Sequence, residues 1–191
     1  MSRITEYLQA SMCNWRHDIH RHPELGFEEH RTAKKVASLL QEWGIETHTG
    51  IGSTGIVGVI KRGTGSRMLG IRADMDALAI DEQNTFNHRS QHMGKMHACG
   101  HDGHTAMLLG AACHLAKYGN FDGTVVLIFQ PAEEHGKGAK SMIADGLFER
   151  FPVQDVYAIH NFPSVALNHF IVKKGPVMAS EDNFEIVIEG I

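Results

Sequence analysis

Between His97 and His104 the chain reads His-Ala-Cys-Gly-His-Asp-Gly-His, so thiol, imidazole and carboxylate groups crowd into one short stretch. Thiolate and imidazole suit Zn²⁺ and related borderline ions, and carboxylates extend the range to Mn²⁺. Cys99 and His101 project to one side if the Cys-Gly-His segment is extended, because alternate residues then share a face. Gly100 and Gly103 let the backbone turn tightly around an ion. A helix beginning near Asp102 would place its N-terminus beside Cys99 and favour the thiolate. Taken singly, these residues have blander readings: a lone Cys is most often a small buried hydrophobe, and an Asp before a helix is most often a cap.

A second group strengthens the chemical reading. Glu133-Glu134 follows the apolar run Thr124 to Gln130, Asp74 and Asp76 follow Met68 to Arg72, and His160 follows Val156 to Ile159. In an extended exit, neighbouring side chains point opposite ways. One Glu can then bind metal while the other takes a proton from water, the division of labour that metal-assisted hydrolysis requires. An isolated Glu-Glu pair would be a solvated turn; the buried run before it and Gly136-Lys137-Gly138 after it favour function. Cys13 and Cys113 lie within helical stretches and are read as having no chemical role.

The elements that would position these groups follow from periodicity. Apolar residues at three- and four-residue spacing predict helices over 4–20, 28–43 and 102–118, the last with Met107, Leu108, Ala111 and Leu115 facing inward, and a further helix over 138–148. Short apolar runs bounded by glycine-rich turns predict strands over 55–60, 68–71, 124–130 and 156–160, with others near 169–173 and 184–189. Gly63-Thr64-Gly65 reads as a hairpin turn, and 81–95 as a long polar loop of the functional kind. The alternation predicts an α/β fold: a three-layer domain with a mostly parallel central sheet flanked by helices. In such sheets reactive groups gather at the carboxyl ends of the strands, where all three acidic or His-bearing exits lie. Residues 1–182 are assigned to this domain, and 183–191 to the first strand of a second, truncated one.

Composition removes other classes. The chain has 191 residues, a net charge of −4 and no massed Lys or Arg, so it offers no basic face for nucleic acid. No apolar run is long enough for a membrane helix, and the charged first thirty residues do not read as a signal peptide. Three cysteines in no framework spacing predict reduced thiols and a cytoplasmic setting. Of the 14 histidines, His20, His22, His88 and His92 are read as solvated. There is no His-Glu-x-x-His helix, no Pro-Cys-x-x-Cys element, no phosphate-binding loop and no Gly-x-Ser-x-Gly elbow.

The segments Arg16 to Gly26, Ile71 to Leu78, Gly94 to His104, Gln130-Pro-Ala-Glu-Glu134, His160-Asn161 and Gly175 to Ser180 together closely resemble the M20 metallopeptidase family. The likeness is to its amidohydrolase branch of hippurate hydrolases, N-acyl-amino-acid deacylases and auxin-conjugate hydrolases. The resemblance implies a site for two divalent metal ions (Zn, Mn, Co or Ni), with Cys99, His101, Glu134 and His160 as ligands and Glu133 as general base. It implies that Asp76 orients a ligand, with Asp74, His97 and His104 as candidate supporting residues. Ala79 stands where the family usually has Pro. Family members continue for about as many residues again, through a lid or dimerisation domain and back to a final His ligand. The resemblance therefore implies that this stretch alone is inactive or nearly so, and that the full-length protein acts on a small N-acyl amino acid as a homodimer. Two other readings are a non-catalytic metal- or partner-binding fragment and a small-peptide exopeptidase.

Overall fold

A computed structural model describes residues 5–180 and 184–190. The chain divides into two units, Met1–Asn161 and Phe162–Ile191. In the first, two helices, α1 (Glu6–Arg21) and α2 (His30–Glu42), precede the strands β1 (Glu46–Ile51), β2 (Gly55–Arg62) and β3 (Met68–Asp74). Then come α3 (His101–Tyr118), β4 (Gly123–Gln130), α4 (Gly138–Ala144), α5 (Leu147–Arg150) and β5 (Asp155–Ala158).

The strands form one sheet in the order β1-β2-β4-β3-β5. The β1/β2 and β2/β4 pairs are antiparallel, whereas β3/β4 and β3/β5 are parallel. Every strand but β2 therefore runs the same way, the mostly parallel sheet expected. Side chains alternate along the central strands. Ile56, Ile60, Val125, Leu127 and Phe129 join Val36, Leu40, Leu108 and Leu109 in one core, while Val57, Val126 and Ile128 join Met142, Leu147 and Phe151 in another. That period of two, met by apolar helix stripes on both faces, makes the three layers. Each fully buried Leu, Ile or Phe side chain contributes about 1.5–3 kcal/mol by its area alone.

Several expectations need correction. Gly63-Thr64-Gly65 is not a hairpin turn, because β4 lies between β2 and β3. The segment is held by the amides of Thr64 and Gly65 donating to Asp122 Oδ1 at 2.8 and 2.7 Å. Strand β1, polar in sequence, was not foreseen. The helix expected over 138–148 is split at Gly146, whose φ is +82°. Met107 is 41% exposed and faces away from the core. The loop 81–95 carries no helix or strand, as expected.

In the second unit, the strands expected at 169–173 and 184–189 are not formed among the described residues. The segment 169–173 is a short apolar run and 184–189 alternates apolar and polar residues, but a strand also requires a hydrogen-bonded neighbour, and among the described residues none pairs with them. Local turns, Val165 N to Phe162 O at 3.2 Å and His169 N to Ala166 O at 3.0 Å, occur in this unit instead. The start of the first helix at Ile4 and the domain boundary at 182/183 lie outside the described residues.

Candidate metal centre

Strands β3, β4 and β5 are neighbours and parallel, so their carboxyl ends fall side by side. That juxtaposition delivers Asp74 and Asp76, Glu133 and Glu134, and His160 to one edge. Helix α3 delivers the rest. Its N-cap is Gly100 in a left-handed conformation, φ +88°, so the Cys-Gly-His segment is not extended as expected. The tight turn itself carries Cys99 back toward His101, the first helical residue. A Cβ at Gly100 would also lie 2.3 Å from Asn161 Oδ1, so a larger residue would have to displace the Asn161 side chain as well as adopt a left-handed conformation.

His101 is the centre of the arrangement. It is fully buried, and its Nδ1 lies 3.1 Å from Asp76 Oδ1. Its Nε2 makes no hydrogen bond. That nitrogen faces oxygens of Asp74 and Glu134 at 3.6 Å and of Glu133 at 3.8 Å. The expectation that the two Glu side chains diverge was wrong. The chain leaves β4 in a turn with Ala132 at φ +45°, and both carboxylates approach the same imidazole.

One ligand atom from each of Cys99, His101 and Glu134 falls within a 4.8 Å group; a second group joins Asp74, His101, His104 and His160. Cys99 Sγ and His160 Nε2 lie 3.5 Å apart, linking the two. The groups differ in what their members already do. His104 Nδ1 lies 2.6 Å from Asp74 Oδ1, and its Nε2 accepts the Asn161 amide at 3.0 Å. Asp74 also receives Arg72 at 2.7 Å. Both His104 nitrogens are thus engaged, whereas His101 Nε2 and Glu134 Oε1 are buried and unpartnered. Leaving such atoms unpaired costs about 1–3 kcal/mol each, so a cation between them fits the donors present.

The charges respond to this crowding. Burial works to raise Asp74, but the His104 hydrogen bond and the neighbouring Arg72 and His101 hold its carboxyl down at about 2. Asp76 is lowered as well: burial opposes, and His101 with the amides of Glu134 and Glu133 prevails. For His101, burial is outweighed by Asp76, Asp74 and Glu134, which raise the imidazole above its usual value. Cys99 departs from expectation. Burial and the carboxylates of Glu134, Glu133 and Asp74 push its thiol up to about 12, so the helix N-terminus does not make it a thiolate here. A cation would reverse the sign of that local field.

Three residues that sequence reasoning missed support the centre. His20, expected to be solvated, is buried at 4% exposure. It bridges Asp102 Oδ2 at 2.9 Å and Glu82 Oε1 at 3.0 Å, tying α1 and the loop 81–95 to the start of α3. Glu82 and Glu29 are the others. Nothing in their local spacing marks them, because their partners are distant in sequence.

His97 is 3% exposed with neither ring nitrogen bonded, and it belongs to neither ligand group. Burial holds its imidazole down at about 4. A folded value below the unfolded 6.5 means that the unfolded chain binds more protons between the two, so stability falls as pH drops through that window. Asp74 and Asp102, both near 2, act below this window, and the raised His20 and His101 act above it. Glu29 and Glu134, raised by burial, act with opposite sign, and His17, His22 and His88, lowered by burial, act with the same sign as His97. The difference between wild type and His97→Leu therefore isolates the imidazole. In metal-free protein, denaturant titrations should show wild type losing about 2 kcal/mol more than His97→Leu between pH 6.5 and about pH 4.5.

The model of the peptidase family M20/M25/M40 matches residues 70–187. The chain belongs to that family. It is 50% identical to a hippurate hydrolase of Campylobacter jejuni over 183 residues, 96% of this chain and 48% of the relative. It is 42% identical to the N-acetylcysteine deacetylase of Bacillus subtilis, over 94% of this chain and 47% of that protein. Among solved structures it resembles the Bacillus subtilis YXEP protein, described as a dinuclear metal-binding peptidase of family M20. The TM-score is 0.80 at 39% identity, covering 84% of this chain and 45% of that one. The chain thus spans about half the length of the relatives it matches. No described helix is long and apolar enough to cross a membrane.

Proposed function

We propose that this chain carries most of the active site of a metal-dependent amidohydrolase that cleaves the amide bond of N-acyl amino acids of the hippurate type. The observation that carries the reading is His101 Nε2, buried and without a partner, facing Glu133 and Glu134 beside the Cys99/His160 pair. We assign Cys99, His101, Glu134 and His160 as ligands of two divalent ions in the complete site, with Asp76 fixing the His101 ring through Nδ1. Such an ion supplies Lewis acidity to the scissile carbonyl and to the attacking water.

Glu133 is the proton carrier in this reading. Its side chain is 40% exposed, against 20% for Glu134 and none for His101, so it reaches solvent where its neighbour does not. It takes the proton of the attacking water and returns it to the leaving nitrogen. Asp74 and His104, each already bonded, stiffen the floor of the site. The hydrolase and deacetylase names of the relatives support the reaction class, and three free cysteines support a cytoplasmic setting.

The test is an assay of this chain, supplied with the part of the Campylobacter jejuni hippurate hydrolase that it does not span. Zn²⁺, Mn²⁺, Co²⁺ and Ni²⁺ are added against hippurate, N-acetyl and indole-acyl amino acids. The expected result is metal-dependent release of free amino acid from at least one of them. Absence of hydrolysis with metal bound would contradict the proposal.

A further inference from the structure

Glu29 precedes α2 and is fully buried, an expensive place for a carboxyl with no part in metal binding or proton transfer. Its partners explain the position. Oε1 accepts the Ala132 amide at 2.7 Å, and Oε2 accepts the Thr54 hydroxyl at 2.5 Å. Ala132 is the positive-φ residue that turns the chain out of β4 immediately before Glu133. Two residues on, the Glu134 amide donates to Asp76 Oδ2 at 3.0 Å. Glu133 thus sits between two amides, each captured by a buried carboxylate from another element. The approach is close elsewhere too, since a Cβ at Gly26 would lie 2.9 Å from Ala132 Cα.

We infer that Glu29 is a positioning residue for the metal centre: by accepting the Ala132 amide it holds the strained turn that aims Glu133 and Glu134 at His101. An alanine at positive φ is strained, and without an acceptor its amide would be buried unpaired. Released, the turn relaxes and both carboxylates move from the imidazole, while Cys99 and His101, on a different segment, stay. The inference rests on the proposed metal site and deepens it.

The experiment is Co²⁺ titration of the wild-type chain, Glu29→Gln, Glu29→Leu and Thr54→Val, following the thiolate-to-cobalt charge-transfer band and the ligand-field bands separately. Glu29→Leu should keep the thiolate band, alter the ligand-field bands and weaken Co²⁺ binding by about tenfold or more, the usual effect of losing an outer partner. Glu29→Gln should restore the wild-type spectrum, because its amide oxygen still accepts Ala132 N–H and its NH₂ donates to Thr54. Should Glu29→Leu fail to fold, Thr54→Val, which frees one oxygen of Glu29, should shift the same bands in the same direction. Unchanged ligand-field bands and affinity in the folded variants, or a Gln variant as impaired as Leu, would overturn the role of Glu29. A wild type that binds no Co²⁺ through Cys99 would overturn the metal-centre reading, and this inference with it.

Discussion

Glu133→Gln in the complemented, metal-loaded protein should lower kcat by at least about a hundredfold while leaving metal content unchanged. The size follows from the share of a rate that a positioned proton carrier commonly supplies, about 10²–10⁴. The retained metal follows from geometry. Glu133 is the most exposed of the acidic groups around His101, and its oxygen lies farther from Nε2, 3.8 Å against 3.6 Å for Glu134 and for Asp74. Gln matches its volume and keeps the backbone amides that Asp76 and Glu29 accept. Glu134→Gln should behave differently, losing metal together with activity. If Glu133→Gln turned over at the wild-type rate, the proton would have to travel by another group, and the assignment would fail.

Cys99→Ala should remove most of the affinity for Co²⁺ or Zn²⁺ without unfolding the chain. The thiol is only partly buried and fills no core position, so its loss costs little packing. Its chemistry is another matter, since thiolate is the softest donor in the group and the one that selects borderline ions. Because Cys99 is held as a thiol up to about 12 in the absence of an ion, each ion bound through it must release a proton. Apparent affinity should therefore rise with pH across the neutral range, and that slope should be smaller in Cys99→Ala.

The legible parts of this site were those encoded locally. Short apolar runs bounded by glycine-rich turns placed β2, β3 and β4, and the rule that parallel strands present their chemistry at their carboxyl ends brought together Asp74, Asp76, Glu133, Glu134 and His160. Two inferences failed because they assumed extended backbone. Gly100 is left-handed and Ala132 has positive φ, so the segments that carry the candidate ligands converge through turns, which periodicity does not reveal. The supporting shell was least legible. Glu29 meets Ala132 across 103 residues and His20 meets Asp102 across 82, and no spacing in a single sequence encodes such contacts. His20 was misread because a histidine beside Arg21 and His22 looks solvated until the carboxylates of Asp102 and Glu82 close on it. The strands expected beyond residue 162 failed for another reason: among the described residues no neighbour receives their hydrogen bonds.

The most direct test of the metal centre is Co²⁺ titration of the wild-type chain beside Cys99→Ala, monitored by absorbance and by proton release. A thiolate-to-cobalt charge-transfer band that saturates with bound ion should appear, accompanied by proton release into the buffer, and should be lost in the variant. Co²⁺ bound without that band, or a band that survives in Cys99→Ala, would contradict it.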